Sequence, residues 1–381
     1  MKKWKRLLGL ALCLCAAVCV MSVSASAAAE HSHPICGETH IDIGDHTGPC
    51  KDVRWIEVTQ KDVTDNNGLT LEAGNNYYLG ENIKVKWEIT IKGTVNLCLN
   101  GHSIERTYAT TNTGSPNAVI DVLKVTPQTH FTLCDCKGGG TITHTSGIPG
   151  QGVTASADFT MYGGKISGNH AGTDAMHEDG AGVAVGGSTF TMYGGTITDN
   201  HVEKMLNYGG GGVVVSGGGE FIMYDGEISH NTSNDDGGGV SVVGASFEMH
   251  GGTISGNTAT GSGGGVGLWN HSFTLSGGTI SDNTAEKNGG GVYFSSNSSY
   301  TPHTLTISDT VKISGNSAAN GGGVYLNSKN LTVTDGGSII NNNVTDSGGG
   351  VYFAGSRFNV SGDVNITGNV VGSSPNNVYL P

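Results

Sequence analysis

One phrase recurs until the last residues of this chain and dictates what it can fold into: Gly-Gly-Gly-Val, then Phe-Thr-Met-x-Gly-Gly-Thr-Ile-Ser-x-Asn. The isoleucine of successive copies falls at Ile166, Ile197, Ile228, Ile254, Ile280, Ile313, Ile339 and Ile366. The steps are 31, 31, 26, 26, 33, 26 and 27 residues, and two degenerate copies precede them at Ile104 and Ile142. Short apolar segments and glycine turns repeating at this period specify a stacked solenoid, because one copy cannot bury its apolar side alone.

Three strand segments are legible in each copy. The first is Val292-Tyr293-Phe294 and its equivalents, the second Phe190-Thr191-Met192 and its equivalents, and the third Thr-Ile-Ser. Side chains alternate faces along a strand, so the outer apolar pair of the first two segments points inward and the middle residue outward. Glycine clusters every ten residues or so leave no room for a helical period. The glycine runs, such as Gly237–Gly239 and Gly263–Gly265, form the corner before the first strand. An asparagine follows each isoleucine by three residues, at Asn169, Asn200, Asn231, Asn257, Asn283, Asn316, Asn342 and Asn369. We place these at the opposite corner, where asparagine tolerates left-handed backbone and stacked side chains form a hydrogen-bonded ladder. They read as structural. The expectation is an all-β chain, a parallel β-helix of about ten coils at ~4.8 Å per coil, with an N-terminal β cap.

The chain resembles the pectate-lyase-like superfamily of right-handed parallel β-helices, and more narrowly the adhesin-like repeat proteins of gut Gram-positive bacteria. The residues that carry the resemblance are Asn96-Leu97-Cys98-Leu99-Asn100-Gly101-His102-Ser103-Ile104, Leu133-Cys134-Asp135-Cys136 and the Gly-Gly-Gly-Val-Tyr coils. It covers residues from about 77 to the end and implies the right hand. It says less about activity, since this fold hosts lyases, hydrolases, epimerases and inert stalks.

Residues 1–29 read as a signal peptide. Lys2, Lys3, Lys5 and Arg6 precede an apolar run from Leu7 to Val23 and small residues ending at Ala27 or Ala29. An uncleaved anchor would need about 20 apolar residues, and no later stretch is apolar enough to cross a membrane. A lipid anchor would need a small residue before the modified cysteine, but Val18 precedes Cys19. We therefore expect a secreted or cell-surface protein with no membrane insertion after signal removal. Four of the 19 Lys and Arg leave with the signal, so 15 remain against 32 Asp and Glu. Such a surface repels nucleic acid, anionic membranes and polygalacturonate.

Residues 30–76 form a Cys/His-containing segment and the start of the cap, and 77–381 the helix with its cap strands. Within the segment lie His31, His33, Cys36, His40, His46 and Cys50. Cys36 and Cys50 suit a disulfide in an exported chain; alternatively they hold zinc with two of the histidines, although the spacing fits no standard finger. Cys98 and Cys134 occupy matching positions in successive copies, with Cys136 the odd one out. Residues 51 to about 95 read as β structure capping the first coil. Asn377-Val378-Tyr379-Leu380 begins a further coil, so the repeats stop mid-coil.

Two places could carry chemistry. Insertions after Asn169 and Asn200 bring His170, Asp174, His177, Glu178, Asp179, His201 and Glu203 into successive coils, with His170 and His201 one strand spacing apart. They could supply an acid–base pair or metal ligands; the plainer reading is a pair of solvated loops. Tyr293, Tyr325, Tyr352 and Tyr379 stand at the outward position of the first strand, a ribbon that sugar rings could lie against or that merely stabilises the sheet.

The resemblance implies acidic residues on or beside that strand if the chain were a lyase. The outward positions instead carry Ala184, Val214, Ser241, Gly267 and then the tyrosines. Of the hydrolase signatures only Asp235-Asp236 is present, the calcium-binding nonapeptide of other β-rolls is missing, and no cofactor is implied. The expected function is a non-catalytic adhesin-like protein in contact with polysaccharides or host and bacterial surface glycans. The alternative is a polysaccharide lyase or glycoside hydrolase of the superfamily.

Overall fold

A computed structural model describes residues 31–32, 39–40, 55–63, 68–108, 121–172, 180–203, 209–296, 303–327 and 330–381. The chain divides into two units, Met1–Arg54 and Trp55–Pro381. In the first, His31–Ser32 pairs antiparallel with Thr39–His40, and His31 stands opposite His40. His33, Cys36, His46 and Cys50 lie outside the described residues, as do Asp174, His177, Glu178 and Asp179 of the insertions.

The second unit is a parallel β-helix. Among the described residues its four sheets hold twelve, twelve, eleven and nine strands. One coil shows the order: Val240–Val243 in the first sheet, Ser246–Met249 in the second, Thr253–Ser255 in the third and Thr258–Ala259 in the fourth. Each strand pairs in register with its equivalents one coil away, so Val240 lies between Val213 and Val266. The fourth strand was not legible in the sequence, because two residues are too few to alternate. The stack also exceeds ten coils. Trp55–Val58 pairs on Asn75–Leu79, which pairs on Thr94–Cys98, so the strands expected as a cap are themselves rungs in register. Twelve rungs at ~4.8 Å extend roughly 50 Å.

The core is a set of columns, one residue type per column. Phe131, Phe159, Phe190, Phe221 and Phe247 stack with ring centroids 5.3, 4.8, 4.9 and 5.1 Å apart. Phe273 then meets Phe294 edge to face at 5.4 Å. The isoleucines from Ile104 to Ile339 and the methionines Met161, Met192, Met223 and Met249 form further fully buried columns. Each such side chain contributes about 1.5–3 kcal/mol by leaving water. Repetition of a phrase in fixed register therefore becomes continuous packing along the stack.

The corners differ from expectation in three respects. First, the asparagine and glycine corners are adjacent, not opposite, because only the two-residue fourth strand separates them. A Cβ on Gly239 would sit 2.9 Å from Asn257 Nδ2 and 2.6 Å from the Gly265 carbonyl, so the asparagine amide lies directly beneath the glycine run. Second, the left-handed residue is the one before the ladder asparagine. Asp199, His230, Asp282 and Asn341 have φ of 56°, 54°, 57° and 54° there. The ladder asparagine is selected for its hydrogen bonds instead. Third, the outward residues Ala184, Val214 and Ser241 are buried. A Cβ on Gly237, itself at φ 70°, would come 2.7 Å from Ser241 Cβ, so the glycine corner curls over the outer face of the sheet.

The ladder is closed at every rung. In Asn231, both the backbone N–H and Nδ2 donate to Asn257 Oδ1, at 2.9 and 3.0 Å, and Nδ2 also donates to the Ile197 carbonyl at 2.9 Å. The pattern runs from Asn169, whose Oδ1 meets His144 Nδ1 at 2.8 Å, to Asn369, which donates to Asn377 Oδ1. These amides are at most 1 % exposed, so their polar atoms depend on one another and on the isoleucine carbonyls rather than on water.

Candidate functional site: two aromatic ladders and a histidine cluster

The first-sheet tyrosines form the expected ribbon. Tyr293 and Tyr325 have ring centroids 5.5 Å apart, Tyr325 and Tyr352 4.7 Å, and Tyr352 and Tyr379 5.2 Å. The indole of Trp269 extends the ribbon by one coil, 5.7 Å from Tyr293. Parallel in-register strands set this spacing, which lies within the range of favourable ring pairs. The inner rings have another ring against each face. They therefore lack the open faces that a sugar ring would need for stacking. Burial, followed by the neighbouring Tyr352 and Tyr293, pushes the Tyr325 phenol above its ordinary range. It therefore remains a neutral hydrogen-bond donor at physiological pH.

A second ladder occupies the turn between the second and third sheets. Tyr162, Tyr193, Tyr224 and His250 stack at 4.9, 4.9 and 5.1 Å with interplanar angles of 10°, 4° and 20°. Tyr193 and Tyr224 are each 43 % exposed. These tyrosines are the variable residue of Met-x-Gly-Gly, a position that looks like turn filler in one copy and becomes a column only when copies are aligned. The glycine two residues later fixes the turn. A Cβ on Gly226, at φ 101°, would fall 2.6 Å from Met192 Cε of the preceding coil. The first-sheet tyrosines are therefore not the sole regularly spaced aromatic groups at the surface.

The described part of the insertions assembles as the repeat arithmetic implies. His170 and His201 are register partners, with rings 4.9 Å apart at 61°. His170 Nε2 lies 3.2 Å from Glu203 Oε1, and His201 Nδ1 lies 2.5 Å from Thr232 Oγ1. Burial, followed by His170, lowers the His201 imidazole below its ordinary range, with Glu203 opposing. His201 is thus neutral at pH 7 and able to accept a proton, while the Glu203 carboxylate bears on His170. The arrangement could move a proton, and it is part exposed.

Two further groups fall outside both ladders. Asp236 accepts a hydrogen bond from the Ser262 N–H at the glycine corner, and burial raises its carboxyl above the ordinary range. Cys98 and Cys134 are register partners as expected, and Cys136, read as the odd one out, joins them: its sulfur is 3.7 Å from that of Cys134. Hydrogen bonds from Cys134 and then Cys136 lower the Cys98 thiol to about 3, whereas burial raises the Cys134 thiol well above its ordinary range.

Residues 181–376 match the protein family described as the right-handed beta helix region. The match covers Tyr293, Tyr325 and Tyr352 of the first sheet, and Tyr193 and Tyr224, and ends before Tyr379. No curated protein and no solved structure matches the chain significantly.

Proposed function

The chain belongs to the right-handed β-helix family, and on that premise we propose a secreted or cell-surface, adhesin-like protein that is non-catalytic and presents its coils for contact with polysaccharides or surface glycans. The observation that carries this reading is the pair of aromatic ladders, each of which sets aromatic side chains at equivalent positions over several successive coils. Edge contacts and phenol hydrogen bonds at exposed positions are individually weak, with aromatic contacts worth ~1 kcal/mol each. Many equivalent sites on one rod convert weak contacts into retention on a polymeric glycan. The outward positions of the first sheet from Ala184 to Tyr352 offer no acid or base, which weighs against lyase chemistry on that face.

The assembled His170, His201 and Glu203 favour a second reading, a polysaccharide lyase or glycoside hydrolase centred on the insertions. Incubating the purified protein with a panel of plant and mucosal polysaccharides separates the two. The expected result is retention on one or more polymers without product. Release of unsaturated or reducing ends, abolished by His201→Ala, would overturn the adhesin reading in favour of the enzyme.

A further inference from the structure

From the convergence of three sulfurs, we propose that Cys98, Cys134 and Cys136 form a binding site for one thiophilic d10 cation, zinc or cuprous copper. The site is built by the fold. Cys98 and Cys134 end the strands Thr94–Cys98 and His130–Cys134 and face each other across one strand spacing. They interrupt the column of the second aromatic ladder: Tyr78 is the register partner of Cys98 on one side, and Tyr162 follows Met161 on the other as Cys134 follows Leu133. Cysteine thus replaces an aromatic residue in two successive coils, and a third cysteine is added two residues on, in the turn that follows the strand, which brings its sulfur within 3.7 Å of that of Cys134.

The intervening Asp135 holds the turn in place. Its two carboxylate oxygens accept from the Gly101 and Gly140 N–H groups, each at 2.6 Å. The Cys136 N–H donates to Cys98 Sγ at 3.3 Å, a bond suited to a metal-bound thiolate. All three sulfurs lie within 4.8 Å of one another. An ion with bonds of about 2.3 Å to each sulfur would separate them by roughly 3.8–4.0 Å, so capture requires shifts well under the width of a side chain. Soft thiolates select zinc and cuprous copper over hard cations. Binding releases the thiol protons; zinc would keep a fourth position that solvent can fill, whereas cuprous copper would be satisfied by the three sulfurs. Cys98 and Cys134 are buried, and the half-buried Cys136 marks the approach.

The test uses the full chain, reduced with a phosphine under anaerobic conditions, stripped with chelator and offered zinc or cuprous ions in separate titrations. Cys13→Ser/Cys15→Ser/Cys19→Ser/Cys36→Ser/Cys50→Ser serves as the background, so that Cys98, Cys134 and Cys136 are the only cysteines left to bind the ion. The expected result is one equivalent bound for at least one of the two ions, a raised unfolding temperature on loading, and at least a 100-fold loss of affinity in Cys136→Ser. X-ray absorption on the loaded background protein should show three sulfurs at about 2.3 Å, which tests the site even if Cys136→Ser fails to fold. Absence of binding by the reduced background protein would overturn the proposal. So would binding unchanged by Cys136→Ser, or a metal shell with fewer than three sulfurs.

Discussion

Asn257 accepts two hydrogen bonds at Oδ1, from Asn231 N and Nδ2, and donates two through Nδ2, to the Ile228 carbonyl and Asn283 Oδ1. Replacing it with alanine leaves buried donors and an acceptor stranded, each at ~1–3 kcal/mol. Asn257→Ala should therefore lower stability by about 3–5 kcal/mol in chemical denaturation. Asp282, one residue before the next rung, holds only the left-handed backbone with φ 57°, so Asp282→Gly should change stability by a few tenths of a kcal/mol. Equal losses at the two positions would contradict the division of labour at this corner. Asp236 behaves differently. Burial raises its folded pKa above the ordinary carboxyl value, so its contribution favours the native state below the unfolded pKa and is lost as pH rises through the folded one. Asp236→Asn keeps an oxygen for the Ser262 N–H. It should unfold at a higher temperature than the parent at pH 7, with the gap closing towards pH 3. A gap that widens on acidification would refute this.

The strands show where the sequence was and was not legible. Residues that recur with their neighbours in register, such as Phe190, Phe221 and Phe247, were assigned to one interior column, and that is where they stack. Positions defined by relations between coils were missed. Tyr193 and Tyr224 went unmarked because their meaning lies in the rung above and below. Cys136 looked unmatched because its equivalents in other coils are not cysteine, although its two-residue spacing from Cys134 was the available signal. The fourth sheet escaped because Thr258–Ala259 has no alternation to read. The same geometry sets the expected effect of ladder mutations. Tyr325 is stacked on both sides and each such pair adds ~0.5–1.5 kcal/mol. The Tyr293→Ser/Tyr325→Ser/Tyr352→Ser protein should therefore lose about 2–4 kcal/mol, whereas the corresponding Tyr→Phe triple should keep most of its stability. An unchanged denaturation midpoint in the serine triple would show that the rings do not support the sheet.

At the scale of the whole β-helix, twelve-stranded sheets turn weak local features into extended ones: a buried asparagine column, a phenylalanine column and two aromatic ladders on the surface. The excess of acids over bases, 32 Asp and Glu against 19 Lys and Arg, disfavours anionic polymers as ligands. On the proposed adhesin reading the partners would be neutral glycans, held by several coils at once. Retention on immobilised neutral polysaccharides tests this most directly, comparing the parent with Tyr193→Phe/Tyr224→Phe, the first-sheet Tyr→Phe triple and all five replacements together, below the unfolding temperature of each. Phenylalanine preserves the stacks and removes only the hydroxyls. The account predicts weakened retention in each partial variant and near-complete loss in the combined one, with circular dichroism unchanged. Retention equal to the parent in the combined variant would contradict it.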